Sequence, residues 1–248
     1  MVRRGRRAPL AALVVAALLL VVRLTDLGSA SAAVPAKARG TPPVRLPAAG
    51  EILSARLAVR SAPRTNARLL RVLPQFRSES QFQIVLAIRA RRGADGRWWY
   101  ELSLSGRPNG QRGWARGDFL DLSPVRNRIV VHVRSRTLEV TRIAGGRVLL
   151  RATVAVGKPG AETPIGRNFY VQGRWVPTDP FYGTFALETS AYSKLSEWPG
   201  GGLAGIHGTD RPDLLGEAVS HGCVRVSNEV ASALERLAPL GTPVDLLP

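Results

Sequence analysis

The chain's single cysteine, Cys223, lies two residues after a histidine in the segment Ser220-His221-Gly222-Cys223-Val224-Arg225. A cysteine nucleophile needs this combination, because the thiolate attacks carbonyl carbon and an imidazole can take the proton. If the segment is extended, both side chains point to one face with Cα atoms about 6.6 Å apart. Cationic Arg225 would lower the thiol pKa, and Gly222 would let a backbone or a substrate approach closely.

A second histidine, His207, precedes the cysteine by sixteen residues. The segment Ala204–Thr209 is typical of a strand end that runs into a turn, and the loop Asp210–Asp213 then returns the chain toward Ser220. A Cys–His pair with a third orienting group is the minimal apparatus for covalent acyl transfer. The residue types alone leave both His207 and His221 as candidates for the base.

Two simpler interpretations of Cys223 compete with catalysis. A lone cysteine is frequently a small buried hydrophobe. Zinc also accepts sulfur and imidazole ligands, so Cys223 with His207 and His221 could form a metal site. The His-Gly-Cys spacing is unusual for zinc, however, and no acidic or fourth ligand suggests itself. We therefore predict no metal and no cofactor, and the phosphate-binding and calcium-binding loop motifs are also missing from the sequence.

The elements that must position these side chains lie in a segment from residue 127 to 248. Ile129–Val133 has the composition of a strand, and residues 138–140 and 148–156 alternate apolar with polar positions around the turn Ala144-Gly145-Gly146. Val230, Leu234 and Leu237 recur at helical spacing after Ser227-Asn228, which could cap a helix, and Pro239 and Gly241 end it. This pattern predicts a β-rich domain with a C-terminal helix.

A smaller segment, residues 51–123, contains five short strand-like runs separated by turn signals. Five short strands in this length suggest a small barrel. Leu57–Pro63 and Gly113-Trp114-Ala115 resemble motifs of the bacterial SH3-like family, although Ala58 stands where that family commonly has Asn. The expected fold class is therefore mainly β, with a small SH3-like barrel followed by a β-rich domain that ends in a helix.

The N-terminal residues have the pattern of an export signal. A basic stretch, Met1–Arg7, precedes the apolar run Ala8–Val22, and Ala30-Ser31-Ala32 matches a cleavage site. We predict a signal peptide over residues 1–32, with an uncleaved anchor as the alternative, although fifteen apolar residues are short for a span of about 20. An Ala/Pro-rich linker is predicted over residues 33–50. The expected location is the cell envelope.

The net charge of +17 comes from 35 Lys and Arg against 18 Asp and Glu. Such a surface attracts polyanions. Export argues against nucleic acid as a partner and favours an anionic cell wall or membrane surface. A general bias toward arginine explains the charge equally well, so it does not decide function.

The chain resembles the YkuD-type L,D-transpeptidases. His207-Gly208-Thr209 followed after a gap by Ser220–Arg225 looks like that family's signature, and Val156-Gly157-Lys158 and Thr163–Gly166 match its upstream pattern. The resemblance covers roughly residues 128–247. It implies a catalytic domain over residues 127–248 that builds cell-wall cross-links and has peptidoglycan stem peptides as partners.

The resemblance also implies roles for single residues. Cys223 would attack the carbonyl before the terminal D-alanine of a tetrapeptide stem, His207 would exchange its proton, and His221 would lie on the other side of the thiol. The other expected positions are Gly222, Ser220 and Gly208 for the oxyanion and its orientation, and Arg225, Thr209, Tyr182 and Trp198 for substrate. Arg225 could hold a substrate carboxylate or pair with an acidic neighbour. The long aromatic segment 172–202 could be a wall or lid over the substrate groove, hinged at its glycine run, or a surface excursion that packs its own aromatics.

Three function classes therefore remain open. The first is the transpeptidase, and the second is a hydrolase in which water resolves the same thioester. The third is a non-catalytic wall-binding protein that uses its basic surface and SH3-like segment. The acceptor amine and the ligand of the SH3-like segment stay open.

Overall fold

The computed structural model describes residues 44–77, 81–195 and 201–248. The predicted signal peptide, residues 33–43 of the predicted linker and Trp198 lie outside these residues. Within the described ranges, no helix is both long and apolar enough to cross a membrane.

The first half of the described chain forms one antiparallel sheet, which we call the N-terminal module (residues 44–124). Its strands are β1 (Ala48–Ile52), β2 (Arg56–Arg60), β3 (Leu69–Pro74), β4 (Ile84–Arg92), β5 (Trp98–Ser103), β6 (Arg112–Arg116) and β7 (Leu120–Pro124). They lie in the order β3-β2-β6-β5-β4-β1-β7. Strands near both ends of this order contribute side chains to one apolar core, which includes Ile52, Leu57, Leu102 and Leu120. The sheet therefore curves around that core.

The five strands predicted for this module are all present, and two were missed. β1 begins inside the predicted linker, where Ala48 and Ile52 are fully buried, and it pairs with both β4 and β7. Its sequence, Ala-Ala-Gly-Glu-Ile, carries few of the β-branched and aromatic residues that signal a strand, so tertiary pairing rather than local propensity forms it. The likeness of this module to SH3-like domains stays a prediction.

The second half of the described chain is a larger mixed sheet with one helix. The elements are β8 (Asn127–His132), β9 (Thr137–Arg142), β10 (Val148–Thr153), β11 (Val156–Gly157), β12 (Gly166–Trp175), β13 (Ala186–Tyr192), β14 (Leu203–His207), β15 (Ala218–Ser220), β16 (Val224–Arg225), α1 (Asn228–Leu237) and β17 (Pro243–Leu247). Eight of these strands form the order β10-β9-β8-β17-β12-β13-β14-β16, and β11 pairs with β15 beside it. The mainly β fold with a C-terminal helix is confirmed.

The helix α1 begins and ends where the sequence predicts. The Ser227 hydroxyl accepts a hydrogen bond from the Val230 N–H at 3.3 Å, which satisfies one donor of the first turn. Ala231 and Leu234 are buried against the core of the larger sheet. The helix ends at Leu237, two residues before Pro239. Its N-terminus therefore follows directly on β16, the strand that comes after the cysteine.

The two sheets share a small apolar contact. Ala49 and Leu86 of the N-terminal module pack with Tyr170 of β12, and all three are buried. The module is therefore in direct contact with the sheet that carries the candidate site.

Candidate active site

Cys223 lies in a tight turn between β15 and β16. The Ser220 hydroxyl donates to the Cys223 carbonyl at 2.6 Å and accepts from the Gly222 N–H at 3.2 Å. Gly222 has φ of +114°, a conformation that side chains with a Cβ disfavour. The expectation that His221 and Cys223 lie on one face of an extended segment is therefore wrong, because Gly222 breaks the strand between them.

The upstream motif supports this turn from the other side. The Lys158 N–H donates to the Ser220 carbonyl at 2.9 Å, and β11 runs parallel to β15. The Thr163 hydroxyl in turn accepts from the Gly157 N–H at 2.9 Å. The upstream motif, Val156-Gly157-Lys158 with Thr163, is therefore hydrogen-bonded to the segment that carries the cysteine.

One face of β14 lies against the Cys223 thiol. The Gly205 N–H donates to Cys223 Sγ at 3.3 Å, and a Cβ placed on Gly205 would lie 3.8 Å from that sulfur. Residues two apart on a strand point to the same face. His207 therefore projects from the face of β14 that the sulfur touches. β14 and β16 are parallel, with His207 opposite Arg225.

His207 is held in one tautomer. Its Nδ1 lies 2.6 Å from the Gly208 carbonyl oxygen, and since a carbonyl only accepts, Nδ1 carries the proton. The lone pair is then on Nε2, the atom that can receive a proton. The imidazole is 3% exposed, and the Tyr182 ring lies edge-on to it with centroids 5.0 Å apart. Phe181 packs against the imidazole as well, at 5.9 Å.

Sequence comparison relates this constellation to known proteins. A family model described as the L,D-transpeptidase catalytic domain, YkuD, matches residues 126–246. The "Putative L,D-transpeptidase YkuD" of Bacillus licheniformis is 34% identical over 121 residues, which are 49% of this chain and 66% of the relative. The "Putative L,D-transpeptidase YqjB" of Bacillus subtilis is 31% identical over 140 residues, which are 53% of this chain and 76% of the relative.

The chain belongs to the YkuD L,D-transpeptidase family. It spans just under two thirds of two curated relatives, with 66% of the Bacillus licheniformis protein and 64% of the YkuD of Bacillus subtilis covered. Among solved structures, "L,D-transpeptidase from Mycobacterium smegmatis" is 14% identical and has a TM-score of 0.41, over 61% of this chain and 90% of that one.

Burial sets the protonation of the L,D-transpeptidase site. It raises the pKa of the Cys223 thiol, against the opposing effects of the Gly205 N–H and of Arg225. It also lowers the pKa of His207 to about 4, which the bond to the Gly208 carbonyl opposes and Arg225 reinforces. Both pKa shifts favour the neutral forms of the thiol and the imidazole at pH 7.

Arg225 is a buried cation beside this neutral pair. Its guanidinium lies 4.6 Å from the centre of the Phe181 ring, and the residue is 7% exposed. None of the ion pairs among the described residues involves it, so the acidic neighbour considered from the sequence is not seen there. The Nε atom of Arg225 is buried without a hydrogen-bond partner in the described part of the chain. Its expected contact with a substrate carboxylate stays a prediction.

The other predicted residues divide between contact with the site and support of it. Tyr182 packs edge-on against His207, and burial followed by the neighbouring Cys223 raises the pKa of its phenol. His221 is half-buried in the turn, and burial followed by Lys158 and Arg225 lowers its pKa. Gly208 orients His207 through its carbonyl. Thr209 is 2% exposed and its hydroxyl accepts from the Arg211 N–H at 3.0 Å, which favours a structural role over the expected contact with substrate.

Asn228 is a supporting residue whose role the sequence did not reveal. Its Oδ1 accepts from the N–H groups of Thr184 and Thr209, both at 3.2 Å. The Thr184 hydroxyl donates back to the Asn228 carbonyl at 3.1 Å. The first residue of α1 thus joins the segments that follow Tyr182 and His207. The only sequence signal was its position after Ser227, which predicted a cap and not a link between two loops.

The long aromatic segment contains both regular structure and loops. Residues 172–202 include the end of β12, a 3-10 turn at Pro180–Tyr182 and all of β13. β13 lies inside the sheet between β12 and β14, so it is not part of a wall or lid, and for the loops that role stays a prediction. The turn is the part that reaches the site, through Phe181 and Tyr182.

No metal-binding group accompanies these residues in the described chain. Within residues 44–77, 81–195 and 201–248, no three His, Cys, Asp or Glu side chains are grouped so as to hold an ion.

Proposed function

We propose that this chain cross-links peptidoglycan as an L,D-transpeptidase, through an acyl-enzyme on Cys223. The donor would be a tetrapeptide stem, attacked at the carbonyl between the L-centre of its diamino acid and the terminal D-alanine. The observation that carries the proposal is the shared face of β14, on which the sulfur contacts Gly205 and the imidazole of His207 projects. The family membership supports the same reaction class.

The first half-reaction transfers an acyl group to sulfur. Sγ forms a bond to the carbonyl carbon while its proton passes to Nε2 of His207, and the carbonyl π pair moves to oxygen. When the intermediate collapses, the C–N bond to D-alanine breaks and the D-alanine nitrogen takes the proton from His207. A thioester and a neutral imidazole remain.

The second half-reaction transfers the acyl group to an amine. The side-chain amine of a second stem attacks the thioester carbon and gives a proton to His207. The C–S bond then breaks, and the sulfur recovers the proton from the imidazole. The fixed Nδ1–H keeps Nε2 available in both directions, because the ring cannot exchange tautomers without losing its bond to Gly208.

The negative oxygen of each intermediate needs hydrogen-bond donors. We assign the backbone N–H of Cys223 to this role. The Gly222 N–H, expected from the sequence to share it, points instead at the Ser220 hydroxyl at 3.2 Å. A donor of this kind is worth about 3–4 kcal/mol in other acyl-transfer enzymes. Ser220 thereby acts on the oxyanion indirectly, by fixing the turn.

Substrate recognition would use the aromatic wall and the buried cation. Tyr182 and Phe181 cover one side of the site, and Arg225 supplies a positive charge for the carboxylate of the D-alanine or of the diamino acid. The basic surface and the export pattern of the N-terminus support action at the cell envelope, against an anionic wall.

Intact-mass spectrometry of the full chain with a disaccharide-tetrapeptide tests this proposal. We expect a mass increase equal to the donor minus D-alanine, and a cross-linked dimer of the donor in solution. Cys223→Ala should show neither. If the trimmed stem is released and no cross-linked dimer forms, the reaction is hydrolysis and not transpeptidation. A folded wild-type chain that binds wall fragments but gains no adduct would overturn the enzyme assignment.

A further inference from the structure

An asparagine side chain of the N-terminal module binds the end of β13, a strand that neighbours β14 of the candidate site. Asn109 lies in the turn between β5 and β6, and its Nδ2–H donates to the Tyr192 carbonyl at 2.7 Å. Its Oδ1 accepts from the Tyr192 N–H at 2.9 Å. Tyr192 is the last residue of β13, so the amide satisfies both backbone groups at the end of that strand, as a neighbouring strand would.

Arg107 holds both ends of the connection that follows. Its guanidinium donates to the Ser193 carbonyl at 3.0 Å and to the Gly201 carbonyl at 2.9 Å. It also lies 4.7 Å from the centre of the Tyr192 ring. Ser193 begins the β13–β14 connection and Gly201 precedes β14. One side chain of the module therefore fixes the exit from β13 and the entry to β14.

The β13–β14 connection also contacts the turn that carries Cys223. A Cβ on Gly222 would lie 2.8 Å from the Ser193 Cβ, so Ser193 packs directly against the residue before Cys223. Lys194, the next residue, forms an ion pair with Glu162 at 3.3 Å, and the Glu162 carbonyl also lies beside Gly222. A displacement of Ser193 would therefore change the packing against Gly222, the residue of this turn that has a positive φ.

A second contact joins the module to the first half of β13. The Arg77 guanidinium forms an ion pair with Glu188 and donates to the Gln172 carbonyl at 3.0 Å. Glu188 lies opposite Gly205, whose N–H donates to Cys223 Sγ. The N-terminal module therefore contacts β13, the strand that supports β14, at Glu188 and again at Tyr192.

We propose that Arg107 and Asn109 are positioning residues that hold the Cys223 turn through Ser193. The module would then be part of the catalytic apparatus rather than a separate wall-binding unit. The kinetic part of this proposal rests on the proposed function, whereas its structural part does not. Loss of either contact should release Ser193 and let the Gly222 turn move. A shift of about 1 Å in a reacting group can cost about a hundredfold in rate.

The test uses the full chain with Asn109→Ala, Arg107→Ala and Arg107→Lys. The control is Arg68→Ala, which removes an exposed arginine of the same module outside these contacts. Hydrogen exchange measured by mass spectrometry on peptides over residues 186–195 and 218–226 needs no substrate. Acylation kinetics with the disaccharide-tetrapeptide give kcat and KM separately, and thermal melting reports folding.

We expect faster exchange at both peptides and a fall in kcat of about tenfold to a hundredfold, with KM changed less than about twofold. Arg107→Lys should be intermediate, because it keeps the charge but cannot bridge two carbonyls. If Asn109→Ala fails to fold, Arg107→Ala decides the question, since Arg107 is exposed and its loss leaves the module core intact.

Two outcomes would overturn the proposal. Exchange at residues 218–226 that matches the wild type would show that the contacts do not reach the turn. Faster exchange with unchanged kcat would show that the turn moves without consequence for the reaction. A wild-type chain that does not acylate at all overturns the proposed function instead, and the exchange data alone then decide the structural coupling.

Discussion

His207 and Arg225 lie directly opposite each other in the parallel pair of β14 and β16. The guanidinium lies over Phe181, and Phe181 in turn packs on the imidazole. A permanent cation is therefore built into the surroundings of the proposed base. Together with burial, which is the larger effect, it keeps the imidazole neutral.

Acid should destabilise the fold through His207. Its pKa is about 4 in the folded chain and 6.5 when unfolded, so between these values the unfolded chain binds the extra proton. Stability then falls as pH drops from 6.5 to 4, by about 3 kcal/mol for this residue. Urea denaturation at several pH values should show this loss in the wild type and a shallower loss in His207→Gln. Parallel curves for the two chains would contradict the assignment.

The two histidines of the site should differ in their effect on the reaction. His207→Gln removes the proton acceptor and should slow acylation by about a hundredfold or more, because general bases contribute about 10²–10⁴ in rate. His221→Gln should cost less, since His221 lies in the turn and not on the face of β14. His132→Gln, on β8, is the control. A larger loss in His221→Gln than in His207→Gln would reverse the two roles.

Asn228→Ala should destabilise the chain. It leaves the N–H groups of Thr184 and Thr209 without their acceptor, at a cost of about 1–3 kcal/mol. Asn228→Asp keeps acceptor oxygens and should lose less. Glu235→Ala, an exposed change on the same helix, should stay within about 0.5 kcal/mol of the wild type. Urea denaturation of the three variants measures these differences, and equal losses in all three would refute the bridging role.

A comparison of Gly222→Ala with Gly216→Ala separates the cost of backbone strain from the cost of a steric clash. Gly222 and Gly216 both have positive φ, at +114° and +95°. Only at Gly222 would a Cβ collide with a neighbour, at 2.8 Å from Ser193, whereas at Gly216 the nearest atom would lie at 3.5 Å. Strain alone costs about 1–3 kcal/mol in either variant. We expect Gly222→Ala to unfold at lower urea and to lose acylation, with Gly216→Ala still active. Equal activity in both would show that Ser193 yields without cost.

The sequence predicts the strands and the helix where local signals are strong. Strands β8, β9 and β10, the turn at Gly145 and the capped helix α1 all carry an apolar pattern or a turn residue, and all are present. β1 carries neither, and forms because it lies between β4 and β7. Pairing partners distant in sequence leave no local pattern, so such strands escape prediction.

The reactive residues were more predictable than their arrangement. Residue types and spacing indicate Cys223 with His207 or His221, and only the family resemblance ranks the two histidines. The extended segment expected around Cys223 is a turn at Gly222. Gly205 and Ser193 could not be found, because each acts through backbone or contact and not through a recognisable side-chain chemistry. Asn109 lies over eighty residues from its partner Tyr192, a distance at which no motif links two positions.

The neutral state of the Cys223 thiol bears on its chemical survival. Peroxides and disulfides react with the thiolate, and a thiol that burial keeps protonated offers them very little of that form. The chain has no second cysteine with which to close an internal bridge. The surroundings that withhold the charge of the sulfur should therefore also slow its oxidation, and under the proposed mechanism the sulfur becomes reactive when His207 accepts its proton in the presence of a bound carbonyl.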